Sequence, residues 1–238
     1  MKNILLVERM DKKEIIRKTE LFVKKTLSKD STGHDWWHIH RVRNLAKRIA
    51  KEEGADMFIV ELSALLHDIG DYKFFQGNER VGEEKVREWL SSLKVSPVLI
   101  DKVVEITSRV SFMHTLPDKG IARKDKKDSS DLTVSKELMA VTDADRLDAM
   151  GAIGIARTFT YGGFFNRPIY DPNVKPHKSI TKDEYKTTEA PSINHFYEKL
   201  LKLKDMMYTP LGKKMAKRRH RFLNLYLKQF FKEWKGKM

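Results

Sequence analysis

The 238-residue chain contains no cysteine. Disulfides and thiolate metal sites are therefore excluded, and a reducing, cytoplasmic setting is expected. Long apolar runs are missing as well. Ile4-Leu5-Leu6-Val7 is too short for the core of a secretion signal, and Glu8 and Asp11 follow closely. No stretch approaches the roughly 20 apolar residues that cross a bilayer, so no membrane partner is expected. Acidic charge is scarce: Asp+Glu 33 against Lys+Arg 47 gives a net +14. Such a balance suits anionic ligands, from polyphosphates to nucleic acid, and selects none of them. Its densest stretches are Lys124, Lys126 and Lys127, in a turn-rich segment, and Lys213 to Arg221, read as a solvated helix face.

Sustained period-two alternation is also absent, and apolar spacing near 3.6 dominates, so the expected fold class is all-α. A first helix begins at Asp11, whose spacing to Glu14 fits a capping box, and runs to about Leu27. Asp35 caps a second, which carries Val42, Leu45, Ala46 and Ile49 and stops at Gly54. Asp56 caps a third, ending near Asp68-Ile69-Gly70. A fourth covers Glu79 to Leu90, and a fifth starts at Ser96-Pro97. Residues 117–132 read as a loop, Ser135 to about Thr158 as one helix, and Tyr161 to Pro191 as a long loop. Ser192 to Met207 and Leu211 to Trp234 form closing helices. The last places Leu223, Tyr226, Leu227, Phe230, Phe231 and Trp234 at core spacing.

Against this background four side chains stand out: His38, the doublet His67-Asp68, and Asp145. Imidazole nitrogens and carboxylate oxygens suit a divalent transition ion that must keep positions open for water. Distant helices of a bundle can aim such groups into one pocket. His67-Asp68 ends its helix, where carbonyl dipoles favour a cation. Arg41 lies three residues beyond His38 on the same face, Asp148 three beyond Asp145, and Asp71 four beyond His67. An octahedral ion held by two His and two Asp leaves room for a water and a phosphate oxygen, and lowering that water's pKa makes it a nucleophile.

His38-x-x-Arg41-Val42, Leu66-His67-Asp68 and Asp145-Arg146-Leu147 resemble the signature of the HD-domain metal-dependent phosphohydrolases. The resemblance implies His38, His67, Asp68 and Asp145 as ligands of one divalent metal, Mn²⁺ or Mg²⁺. The chain is most similar to a YpgQ/YedJ-like branch associated with nucleotide pyrophosphohydrolase activity. That likeness rests on Gly33-His34-Asp35-Trp36-Trp37-His38, the run from Asp145 to Phe159, Tyr161-Gly162-Gly163, and Asn194 to Leu201. It implies a single HD-domain helical bundle over residues 1–238 with long connecting loops, residues 192–238 being the closing helices. In the related alarmone hydrolases an acidic residue three positions past the doublet aids the water, which falls on Asp71. Asp71 and Asp68 are thus the catalytic candidates. The next position, acidic there, is Tyr72 here, which argues against an alarmone substrate. His114 is the only further histidine between the doublet and the last aspartate, which favours one metal over two. A nucleotide or other phosphorylated small molecule is the expected partner, with Arg41, Lys73, Arg146, Arg157, Arg167 and Lys199 as its phosphate contacts.

Rival readings keep the same residues. His34 and His38 share an i, i+4 spacing, although a cap at Asp35 puts His34 outside the helix. Asp143 competes with Asp145 as ligand. Asp148 reads equally as a packing acceptor, and His195 as a core histidine. Gly162-Gly163 lacks the context of a phosphate loop. A phosphodiesterase or a nucleoside monophosphate phosphatase would use the same centre. A basic nucleic-acid-binding module with a relict metal site ranks below both, since no helix-turn-helix or aromatic groove accompanies the charge.

Overall fold

The computed structural model describes residues 11–69, 80–116, 134–177, 181–182, 184 and 189–237, and among these there is no strand. Eight α-helices are described: α1 Lys12–Thr26, α2 Trp36–Glu53, α3 Met57–Leu66, α4 Arg80–Ser92, α5 Pro97–Arg109, α6 Lys136–Asp148, α7 Gly151–Phe164 and α8 Pro210–Trp234. The expected loop at residues 117–132 lies outside the described residues.

Local chemistry explains most boundaries. The Asp35 carboxylate accepts the N–H of His38 and opens α2, and Gly54 closes it at φ 64°, a conformation that spares glycine the usual Cβ penalty. Asp56 caps α3 by accepting from Phe58 and Ile59. Asp11 makes no side-chain cap, and the Glu14 carboxylate accepts instead from Arg17 at 2.7 Å, so the expected capping box does not form.

Two longer expectations need correction. The helix expected from Ser135 to Thr158 is two, α6 and α7. The chain turns at Ala149, Met150 is extended, and Gly151 takes φ 70°. Leu147, Met150 and Ile155 are all buried, so the apolar rhythm runs through the break and hides it. The helix expected from Ser192 to Met207 is a π-helical turn at Phe196–Leu200 followed by a 3₁₀ turn at Leu203–Met206. Here tertiary hydrogen bonds override propensity. Ser192 and Ile193 donate to the carbonyls of Pro168 and Ile169, and the Asn194 amide donates to Val174.

The core is a contiguous apolar cluster, with α2 at its centre against α3 and α6. α5 covers α3 and α6, while α8 packs on α7 and α6. Leu223 and Leu227 point inward from α8, whereas Trp234, expected in the core, is 52% exposed. Charge ties α1, α2 and α3 together: Arg43 of α2 bonds Glu20 and Glu61, and Lys47 also reaches Glu61. No described helix is long and apolar enough to cross a membrane.

Candidate metal centre and adjoining pocket

The first turn of α2, the end of α3 and the last turn of α6 meet at one point. His38, His67 and Asp145 each offer an atom within 4.8 Å of one another. The two Nε2 atoms of His38 and His67 stand 3.3 Å apart. Asp68 Oδ2 lies 3.2 Å and Asp145 Oδ1 3.5 Å from His38 Nε2. Asp68 Oδ1 is 3.5 Å and Asp145 Oδ1 3.9 Å from His67 Nε2.

The partners behind each ring assign the tautomers. His67 Nδ1 faces the Ala64 carbonyl at 2.9 Å, which can only accept, so Nδ1 carries the proton. His38 Nδ1 faces the Asp148 carboxylate at 2.8 Å with the same consequence. Both Nε2 atoms therefore turn lone pairs toward two carboxylates. Buried Asp68 Oδ2 has no hydrogen-bond donor among the described residues. Four acceptors converging without a donor are unfavourable in themselves and fit a divalent cation. The electrostatics agree that positive charge is short. Burial and Arg157 disfavour protonation of His38, yet Asp148 and Asp68 outweigh them and raise its pKa. Burial likewise opposes ionisation of Asp68, but His67, His38 and His34 hold its carboxyl well below the usual carboxylate range.

Asp148 is the hub behind the cluster, its side chain 2% exposed. Besides His38 it accepts two bonds from Arg41, at 2.7 and 3.0 Å, and one from Arg157 at 3.2 Å. Burial works against its charge; the bonds from His38 and Arg41 prevail and keep its carboxyl far below the ordinary value. A carboxylate behind a ligating histidine fixes the ring's orientation and tautomer. The Arg157 Nε also donates to the Gly33 carbonyl at 2.8 Å, anchoring this guanidinium between two elements.

Beside the cluster lies a cavity of about 110 Å³, walled by α7 and residues 190–200. His34 and Arg157 belong to the end nearest the metal cluster; Tyr161, Arg167, Glu198 and Lys199 continue the wall. The Arg167 guanidinium sits 5.2 Å from the Tyr161 ring centroid, and the Phe165 ring stands 4.6 Å from Tyr161.

Arg157, Arg167 and Lys199 thus line the pocket, while Arg41 is engaged with Asp148. Arg146 does not reach it. Its side chain is buried on the other side of α6, donating to the Met206 carbonyl and stacking on Tyr208, so the phosphate role expected for it is corrected. Asp143, the rival ligand, is buried and accepts from the N–H groups of Tyr208 and Thr209 and from the hydroxyl of Thr209, the residue that caps α8. Asp71, Lys73 and the side chain of His114 lie outside the described residues. His195, weighed as a pocket residue against a core histidine, lines the cavity, as does Glu198, which the sequence did not single out.

Residues 36–150 match the HD domain family. YpgQ of Bacillus subtilis is 36% identical over 215 residues, 90% of this chain and 91% of its own. Its crystal structure in complex with ADP superposes with a TM-score of 0.67, covering 92% of this chain and 97% of that one. An HD-superfamily hydrolase from Bacillus thuringiensis is 42% identical, with a TM-score of 0.68 over 94% of this chain and 99% of its own. A Lactobacillus plantarum protein, 32% identical, superposes with a TM-score of 0.81 over 95% of this chain and 100% of its own.

Proposed function

Since this chain belongs to the HD-domain superfamily, and is a metal-dependent phosphohydrolase, we propose that its substrate is a nucleotide and its reaction the release of pyrophosphate from a nucleoside triphosphate. The observation that carries this reading is the juxtaposition of four converging acceptors, His38, His67, Asp68 and Asp145, with a cavity walled by Arg157, Arg167 and Lys199. ADP in the YpgQ crystal structure supports a nucleotide as the occupant.

His38, His67, Asp68 and Asp145 would hold a divalent ion, Mn²⁺ or Mg²⁺ in this reading, which would supply Lewis acidity toward the phosphate. The chain's own residues do the rest. Ala64 and Asp148 hold the two imidazoles with their lone pairs forward. Arg157, fixed by Gly33 and Asp148, stands between cluster and cavity, where phosphoryl charge builds up during attack. Arg167 and Lys199 add positive charge farther along the wall, which favours entry of an anionic substrate.

Product analysis tests the reaction. Purified protein supplied with Mn²⁺ or Mg²⁺ should convert nucleoside triphosphates to the monophosphate and pyrophosphate, resolved by phosphorus NMR. His67→Ala should lose the bound ion and about a thousandfold of the rate, since an ion of this kind contributes several kcal/mol to the transition state. Orthophosphate as sole product, or turnover confined to phosphodiesters or monophosphates, overturns the reading.

A further inference from the structure

Among the described residues that line the cavity, Arg157, Arg167 and Lys199 are cationic and Glu198 alone is acidic. Glu198 is 3% exposed and lies on the π-helical turn Phe196–Leu200. The wider turn brings His195, Glu198 and Lys199 to the same cavity. Glu198 Oε1 accepts the backbone N–H of His177 at 3.0 Å, and the described residues give this carboxylate no second hydrogen bond. A buried carboxylate needs donors, and one N–H meets only part of that need.

A phosphate brought against Glu198 would meet a like charge. Phosphates therefore belong at the Arg157 and His34 end, next to the ligand cluster, and Glu198 faces a part of the substrate that is neutral and offers N–H or O–H. Tyr161 and Arg167 line the cavity and offer a stacking surface nearby, suited to a flat ring. Resting on the nucleotide reading above, we propose that Glu198 recognises the nucleoside half of the substrate by accepting a hydrogen bond from its base or sugar, setting the substrate's direction in the cavity.

The test compares calorimetric affinities of the ion-loaded protein for ADP and for inorganic pyrophosphate, which has no nucleoside, in wild type and in Glu198→Gln. Glutamine keeps the acceptor for His177 but presents N–H to the ligand. The preference for ADP over pyrophosphate should fall ten- to a hundredfold, the scale of one charge-assisted hydrogen bond. Pairing ADP with its 2′-deoxy form, and GDP with IDP, locates the donor: the pair whose discrimination collapses in the variant identifies sugar hydroxyl or base amino group. An unchanged preference, or equal losses for ADP and pyrophosphate as a structural role would give, overturns the assignment. Glu198→Asp, which retracts the charge by one methylene, serves the same comparison if the glutamine variant does not fold. Wild-type protein that binds ADP no more tightly than pyrophosphate overturns the nucleotide reading itself, before any substitution is made.

Discussion

The metal cluster and the cavity beside it are built in opposite ways. The cluster draws its four side chains from α2, α6 and the turn that directly ends α3, elements packed together at the centre of the core. Both histidines there are backed by an acceptor: Asp148 behind His38, the Ala64 carbonyl behind His67. The cavity instead takes one wall from α7 and the other from irregular chain, held by bonds from Ser192, Ile193 and Asn194 to residues 168–174. Geometry needed for an ion is carried by secondary structure, and geometry for the organic part of a ligand is carried by connections that can vary while the ion site stays intact.

That contrast can be broken or sharpened by substitution. The largest effect is expected at Asp148→Asn. Losing the carboxylate frees the His38 tautomer and leaves Arg41 and Arg157 without their counter-charge, so affinity for the ion should fall ten- to a hundredfold. Competition against a chelator measures it, and an unaltered affinity would show that the ring is held by packing alone. Next comes Arg167→Ala on the cavity side. KM for the nucleotide should rise about tenfold, as one cation–ring stacking surface is lost, while the bound ion is kept. A parallel loss of metal would mean that the two regions are not separable.

The smallest effect concerns the frame that positions α2 and α3. Burial disfavours the Glu61 carboxylate, yet bonds from Lys47 and Arg43 hold its pKa below the ordinary 4.5. A carboxyl depressed on folding contributes stability that is complete above its unfolded value and is lost as pH falls through the folded one. Glu61→Gln should therefore cost about 1 kcal/mol in urea denaturation at neutral pH, and the gap to wild type should narrow as pH falls below the ordinary 4.5. A gap that persists in acid would assign the loss to packing instead.

The convergence of His38, His67 and Asp145 was legible because helical offsets translate directly into shared faces. Arg41 follows His38 by three and Asp148 follows Asp145 by three, and these pairs do meet, at Asp148. The same rule explains the error at Arg146: one residue along a helix turns about 100°, so a neighbour of Asp145 in sequence faces away from it in space. The choice between Asp143 and Asp145 was open because it depended on what α8 brings to α6 some sixty residues later. On the cavity side the run from Asn194 to Leu201 stood out, but which of its residues face inward depends on a π-turn imposed by distant carbonyls. No periodicity in the residues themselves encodes that.

Asp143 gives the C-terminal helix a role beyond cover. Its buried carboxylate takes the N–H groups of Tyr208 and Thr209 and the Thr209 hydroxyl, and Gly212 approaches so closely that a Cβ there would lie 2.2 Å from Asp143 Oδ2. A chain shortened before Thr209 would strand an anion inside α6, only two residues from Asp145. Trimming the tail would therefore unsettle the catalytic end of the molecule without removing a single ligand.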